Sequence, residues 1–243
     1  MKSELRPFVA LRRGPAGLVR PSAKRDSACM LDAVLDVLAP ARCAACHAYA
    51  RGLCGECRMA IGQAHPIIRY DIPGVERVVA LGAYEGTLRR AVLALKYANR
   101  RDVAVEIAEL YARAVDPFGE LLVAVPLHPA RLARRGFNQA DALAYALERG
   151  WRARHVLLPP VAIDGSLVRV KPTAPQSGLD SRARVDNIVA AFAAGPQAGA
   201  LDGRAVILVD DVTTTGATLR ACARVLRECG AARVAAACAA VRL

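Results

Sequence analysis

Apolar residues in this chain fall into short runs closed by turn residues, alternating with longer stretches of helical periodicity. Val206-Ile207-Leu208-Val209 is too short for a buried helix and rich in β-branched positions, so it predicts a fully buried parallel strand. Leu121 to Val125 reads the same way, and Pro126-Leu127-His128-Pro129 takes the chain off its end. An earlier strand is expected within Glu76–Tyr84, where Val78, Val79, Leu81 and Ala83 precede Glu85-Gly86, and a last one over Arg233–Ala240. Further strand patterns cover His155–Leu158 and Ile188–Phe192, and 195–203 reads as a turn-rich connector. Helices are expected over Thr87–Lys96, with Thr87 as cap and Leu88, Val92 and Leu95 on one face, and over Asp102–Val115. Two more run from Ala140 to Glu148 and from Leu219 to Cys229, and a short amphipathic one over Met30–Leu38 stops before Pro40.

The pattern is most informative where Val206–Val209 runs into Asp210-Asp211-Val212-Thr213-Thr214-Thr215-Gly216-Ala217-Thr218. Strand, polar loop and helix in that order put the loop at the carboxyl end of a strand, where open α/β sheets bind ligands. The loop also precedes a helix N-terminus, whose free N–H groups and dipole favour an anion. Hydroxyls on Thr213, Thr214, Thr215 and Thr218 add donors, and Gly216 lets the backbone approach closely. Asp210 and Asp211 would repel a bare phosphate; they suit a ligand with hydroxyls or a metal beside its phosphate, such as a ribose 5-phosphate. An ordinary βα turn capped by Thr215 accounts for one threonine but not for two carboxylates and a glycine.

A second anion site is expected in a loop between the strand ending at Val125 and the helix after Gln139. It carries Arg131, Arg134, Arg135, Gly136, Asn138 and Gln139, and the guanidinium fork suits oxygen-rich anions. It would serve a pyrophosphate while the threonine loop serves the 5-phosphate; the alternative is a solvated basic loop anchored by Phe137. Lys96, at a helix end, is read equally as a phosphate ligand or as a solvated lysine. The irregular stretch 169–187 holds Arg169, Lys171, Thr173, Gln176, Arg182 and Arg184 with Gly178 as hinge, which suits a lid closing on an anion.

Composition changes this picture in two places. The chain has 243 residues, enough for one large domain or a domain plus a small module. Its 34 Lys+Arg against 22 Asp+Glu give +12, pointing to polyanionic partners such as nucleotides, pyrophosphate groups or nucleic acid. However, +5 of this lies in residues 1–27, which read as a basic disordered tail or an upstream start, with a nucleic-acid arm as the alternative. No apolar run reaches membrane-spanning length and the basic N-terminus lacks a hydrophobic signal core, so a cytoplasmic protein without membrane insertion is expected. In that compartment the eight cysteines are read as metal ligands or buried apolar residues rather than disulfides. Cys43-Ala44-Ala45-Cys46 and Cys54-Gly55-Glu56-Cys57 are two C-x-x-C pairs close together, the signature of a tetrahedral structural zinc site. Gly52 and Gly55 fit the knuckle turns. Two redox dithiols fit less well, because neither pair opens a helix in a βαβ setting. Cys29, Cys222, Cys229 and Cys238 lie in apolar patterns and read as buried.

Asp210–Thr218 resembles the PRPP-binding loop of type I phosphoribosyltransferases: two acids, a hydrophobic residue and a threonine-glycine cradle after an apolar strand. Taken together, the ordered segments resemble the ComF-type phosphoribosyltransferase-like proteins, described as accessory proteins of competence and DNA uptake. The resemblance runs over residues 32–241. It rests on Cys43/Cys46/Cys54/Cys57, Leu95-Lys96-Tyr97, Val125–Pro129 with Arg131, Arg135–Gln139, and Val209–Val212 with Thr214–Thr218. Arg169, Thr173, Gln176, Leu179, Arg184, Asn187 and Phe192 complete it. It implies a type I phosphoribosyltransferase-like α/β fold, a parallel sheet flanked by helices over residues 67–243, preceded by a zinc-knuckle module over 28–66.

By the same resemblance PRPP and Mg²⁺ bind at the strand ends. Asp210 and Asp211 meet the ribose hydroxyls or Mg²⁺, with Arg184 beside them as a catalytic candidate. Thr213–Thr218 hold the 5-phosphate, and Arg131, Arg135, Gly136, Asn138 and Gln139 lie at the pyrophosphate end. Arg169, Lys171, Thr173 and Gln176 belong to the lid. One departure stands out. Purine-salvage relatives carry a carboxylate where this chain has Thr214, which argues against ordinary purine-base transfer. Two functions remain: transfer of phosphoribose to an unknown nitrogenous acceptor, or a non-catalytic PRPP- or nucleotide-binding module whose zinc knuckle docks single-stranded DNA or a helicase-like uptake partner.

Overall fold

The computed structural model of the chain describes residues 40–170 and 191–243. Expectations on residues 1–39 (the basic tail, the Met30–Leu38 helix and Cys29) and on Lys171, Thr173, Gln176, Arg182 and Arg184 therefore fall outside the described residues. The compact unit runs over Ala41–Leu243.

Its elements in chain order are α1 (Gly55–Gly62), β1 (Ile67–Arg69), β2 (Val78–Ala83), α2 (Gly86–Tyr97), α3 (Arg101–Ala114) and β3 (Leu121–Ala124). There follow α4 (Pro129–Arg135), α5 (Gln139–Ala153), β4 (Val161–Ala162), β5 (Leu167–Arg169) and β6 (Phe192–Ala194). A 3₁₀ turn at Ala198–Leu201 leads to β7 (Ala205–Thr213), α6 (Ala217–Glu228) and β8 (Arg233–Val241). The main sheet has the order β1-β2-β8-β7-β3-β4, parallel throughout except for the antiparallel edge strand β1. β5 and β6 form a separate antiparallel pair that brackets residues 171–190.

The near-continuous apolar runs of β7 and β8 follow from burial on both faces. Strand alternation then sorts their side chains into two cores. Ile207, Val209, Ala237 and Ala239 face the layer of α2, α3 and α5, whereas Val206, Leu208, Val234, Ala236 and Cys238 face α6 and the β5–β6 pair. The layer of α3 and α5 is locked by Trp151, whose ring meets Tyr111 edge-on at 6.1 Å and whose indole N–H donates to the Val115 carbonyl at 2.8 Å. Tyr111 in turn donates to the Val79 carbonyl of β2 at 2.9 Å.

Several sequence expectations give way to tertiary structure. His155–Leu158 is a turn, not a strand: Leu157 is 93% and Leu158 80% exposed, Pro159 and Pro160 follow, and the edge strand forms later at Val161. The expected arginine loop contains a seven-residue helix, α4, with Pro129 at its first turn, His128 Nδ1 capping the Ala130 N–H at 3.2 Å and Gly136 left-handed at its end. Thr87 is not the cap of α2; the helix starts at Gly86, with Glu85 before it. β7 runs through Thr213, so both acids lie within the strand's last turn of pleat rather than in a loop. Of the other cysteines read as buried, Cys222 and Cys238 are, and Cys229 is half-buried.

Candidate functional site

The site is built at the carboxyl end of β7. Asp211 is 8% exposed and its carboxylate is met at 2.9 Å by Lys96 Nζ, reaching across from the last turn of α2. Asp210, half-buried, accepts the Asp211 N–H at 2.8 Å. Burial, then the neighbouring Asp211 carboxylate, push the Asp210 carboxyl up to about 8, and Lys96 offsets this only in part.

The sign of the consequence is set by linkage. The folded protein holds the Asp210 proton more tightly than the unfolded chain, so this group's contribution is most favourable below the unfolded value of 3.8 and is lost as pH rises toward 8. Wild-type stability in urea is expected to fall from pH 6 to pH 8.5 and Asp210→Asn to be flatter over that window. Parallel profiles would remove the assignment.

Beyond the acids, Thr213 is buried within β7 and so stands apart from the loop it was grouped with. Thr214 and Thr215 are exposed, Gly216 is left-handed with φ 76°, and Ala217 and Thr218 open the twelve-residue α6. Only glycine fits this turn: the positive φ strains any side chain, and a Cβ would overlap Ile72. Thr215 Oγ1 takes the Ala217 N–H at 3.4 Å, while Arg69 on β1 fixes the loop from outside, donating to the Thr214 carbonyl at 2.6 Å and clasping Asp71 with two bonds. Neither Arg69 nor Ile72 was legible in the sequence, because both act from a separate strand and loop more than a hundred residues away.

The basic residues divide by role. Arg135 Nη1 donates to Gln139 Oε1 at 2.9 Å and its guanidinium lies 5.3 Å over the Tyr97 ring. Arg135 and Tyr97, with Lys96, Asn99, Arg134 and Gly136, line an open depression of about 560 Å³. Asn138 and Gln139 are buried and committed internally. Asn138 caps α5 through Ala140 N–H at 3.2 Å and donates to the Val125 carbonyl at 3.1 Å, and Gln139 orients Arg135. Both were expected as anion ligands; the structure shows them buried, with their side chains bonded within the protein. Arg169, expected in the lid, belongs to β5: it stacks 5.1 Å over Phe192, its own strand partner. Burial lowers its basicity, with further effects from Arg131, which lowers it too, and from Asp210, which raises it. Arg131 and Asp210 thus both bear on the Arg169 charge, with opposite signs.

The cysteines make a second cluster. The sulfurs of Cys43, Cys46, Cys54 and Cys57 all lie within 4.8 Å of one another, with Cys46 and Cys54 at 3.5 Å. A tetrahedron of about 2.3 Å metal–sulfur bonds has edges of about 3.8 Å, so the set fits a single tetrahedral ion. Although burial opposes it, N–H donation from Cys54, Ala45 and Cys46 brings the Cys43 thiol down to about 6. The cluster is not a free-standing knuckle. Glu106 of α3 accepts the Leu53 N–H at 2.9 Å and pairs with Arg58 at 2.7 Å, and Arg100 donates to the carbonyls of Arg42 and Gly52. Cys43, Cys57 and Ile61 share a hydrophobic core with α3.

The family model for the phosphoribosyl transferase domain matches residues 132–242, from α4 to the end of β8. Competence protein F of Haemophilus influenzae is 32% identical over 166 residues, covering 65% of this chain and 69% of that protein. The DNA utilization protein YhgH of Salmonella typhi is 31% identical over 199 residues, covering 75% of this chain and 81% of its own length. This chain belongs to the ComF family. YhgH of Escherichia coli K12 matches similarly, at 32% over 193 residues. The ComF chain thus carries a phosphoribosyltransferase-type α/β fold together with a four-cysteine cluster. Among the described residues no helix is long and apolar enough to cross a membrane.

Proposed function

We propose that this chain binds PRPP together with Mg²⁺ at the end of β7 and transfers its phosphoribosyl group to a nitrogenous acceptor. The observation that carries the reading is the continuous run of an acidic pair, a left-handed glycine and a twelve-residue helix N-terminus at the carboxyl end of β7. The 5-phosphate would lie on the N–H groups of Thr214–Thr218, and the pyrophosphate toward Arg131, Arg135 and Gly136. Asp210 and Asp211 offer an all-oxygen donor set of the kind hard cations take, and a cation there would relieve the burial and the carboxylate repulsion that raise Asp210. Mg²⁺ would neutralise the pyrophosphate there. In the transfer the bond from the anomeric carbon to pyrophosphate breaks, a bond to the acceptor nitrogen forms, and that nitrogen sheds a proton. This chain's part is to hold both phosphate ends and to stabilise the charge that develops. Arg184 keeps the catalytic role, and Lys171, Thr173 and Gln176 the lid roles, that the family resemblance implies.

The cysteine cluster is proposed to hold a structural Zn²⁺, since all four positions are sulfur and none is left for a reacting molecule. The relatives' names, competence and DNA utilization, support a role in DNA uptake; the proposed setting is the cytoplasm, with single-stranded DNA or an uptake helicase as the proposed partner of the cysteine-bearing face.

Thr214 favours a second reading, in which PRPP binds without transfer, because a carboxylate is missing where base-transferring relatives have one. Calorimetry with PRPP is expected to show Mg²⁺-dependent binding weakened at least ~10-fold by Asp210→Asn/Asp211→Asn. Equal binding by wild type and variant would reject the site. Pyrophosphate release with acceptor panels then separates transfer from binding alone.

A further inference from the structure

A cleft of about 310 Å³ opens at the same end of the sheet, beyond β3 and away from the acidic pair of β7. Pro126, Leu127, Leu132 and Ile163 give it apolar walls, and Asp141, Tyr145, Asp164 and Ser166 supply its polar groups. These four polar side chains are not used by the phosphoribosyl reading.

Charge marks the cleft as unusual in a chain of net +12. Among the described residues, neither Asp141 nor Asp164 forms an ion pair with an arginine or lysine. Burial, against a hydrogen bond from Asn138 and reinforced by Asp164, pushes the Asp141 carboxyl up to about 6. Tyr145 donates its hydroxyl to Asp164. Ser166 is an independent observation: the residue is fully buried, it lines the cleft, and its Oγ has no hydrogen-bond partner. A buried hydroxyl left unpaired is destabilising, so such groups call for an explanation. An acid in the first turn of α5 is helped by the helix dipole, which accounts for Asp141 alone and not for Asp164, Tyr145 and Ser166.

We propose that this cleft is a binding site for a small organic cation, a primary ammonium on a short apolar body. The ammonium has three donors and no acceptor, which matches two carboxylates and a hydroxyl, and the apolar walls match its body. A bare metal ion fits less well: the cysteine cluster is the one group of three or more close metal ligands among the described residues. The site stands independently of phosphoribosyl transfer.

The test titrates benzylammonium, benzyl alcohol and benzoate into the full-length zinc-loaded protein, without PRPP or Mg²⁺, following Asp141 and Ser166 amide shifts by NMR. Benzylammonium is expected to saturate in the millimolar range and to bind at least ~10-fold tighter than benzyl alcohol, with benzoate not binding. Asp141→Asn and Asp164→Asn should each remove most of that preference while melting within a few degrees of wild type. Asp164 is exposed, so its variant remains a folded control if Asp141→Asn does not fold. No shift up to ~10 mM benzylammonium, equal affinity for the alcohol, or an unchanged preference in Asp164→Asn overturns the proposal. Because PRPP is absent, failure here leaves the phosphoribosyl site untouched, and failure of that site leaves this result standing.

Discussion

Removing the Zn²⁺ proposed for the cysteine cluster by chelation is expected to lower the melting temperature of this protein by more than ~10 °C, with full recovery on adding Zn²⁺ back. The size of the effect follows from what the cluster holds. Structural zinc in isolated finger peptides binds with about 10–16 kcal/mol at neutral pH, comparable to the whole stability of a domain. Here the four sulfurs also close the loop over Gly52 onto α3, where Glu106 takes the Leu53 N–H and Arg58 pairs with Glu106 and Glu109. Without the ion, four thiolates within 4.8 Å would repel one another or protonate, and the clasp would lose its geometry. The loss should therefore spread into α3 and the core it shares with α2 and α5, rather than remain local. Calorimetric scans with and without chelator, alongside metal analysis giving one zinc per chain, check this. Superimposable scans would mean that α3 stands without the cluster.

Lys96→Met is expected to be the most damaging single change near the acidic pair, costing on the order of 2–3 kcal/mol at pH 8. Lys96 and Asp211 side chains are only 17% and 12% exposed, and their 2.9 Å pair brings a cation directly onto two adjacent carboxylates. Removing the lysine leaves Asp211 charged beside Asp210 in a poorly solvated place, whereas removing both charges restores balance. Lys96→Met/Asp211→Asn should therefore be more stable than Lys96→Met alone, a coupling read from urea unfolding of the four proteins in the cycle. At lower pH the penalty shrinks, because Asp210 then keeps its proton. Additive costs in the cycle would show that the pair contributes nothing.

These interactions mark the boundary of what the sequence made legible. The acidic pair, Gly216 and the cysteines could be read because each motif is contiguous and its meaning is set by neighbours in the chain. Helix α4 was missed although its signals were present, Pro129 at the start and Gly136 at the end. It buries no residue, so it has no apolar stripe to betray it. His155–Leu158 erred in the opposite way: apolar letters suggested a strand, but two prolines and the lack of a covering layer leave Leu157 and Leu158 in solvent. Asn138 and Gln139 read as ligands by residue type, and their bonds to the α5 cap and to Arg135 become visible only in the fold. Lys96 could be read either way until the fold brought α2 across to β7, since no spacing rule links residues 96 and 211.

The central claim is a PRPP site at the end of β7, and a crystal soaked with PRPP and Mg²⁺ tests it most directly. The 5-phosphate is predicted on the amides of Thr214–Thr218, with the ribose against Asp210 and Asp211 and the pyrophosphate toward Arg131 and Arg135. Phosphate density elsewhere on the molecule, or a threonine loop left bare at saturating PRPP, would contradict it.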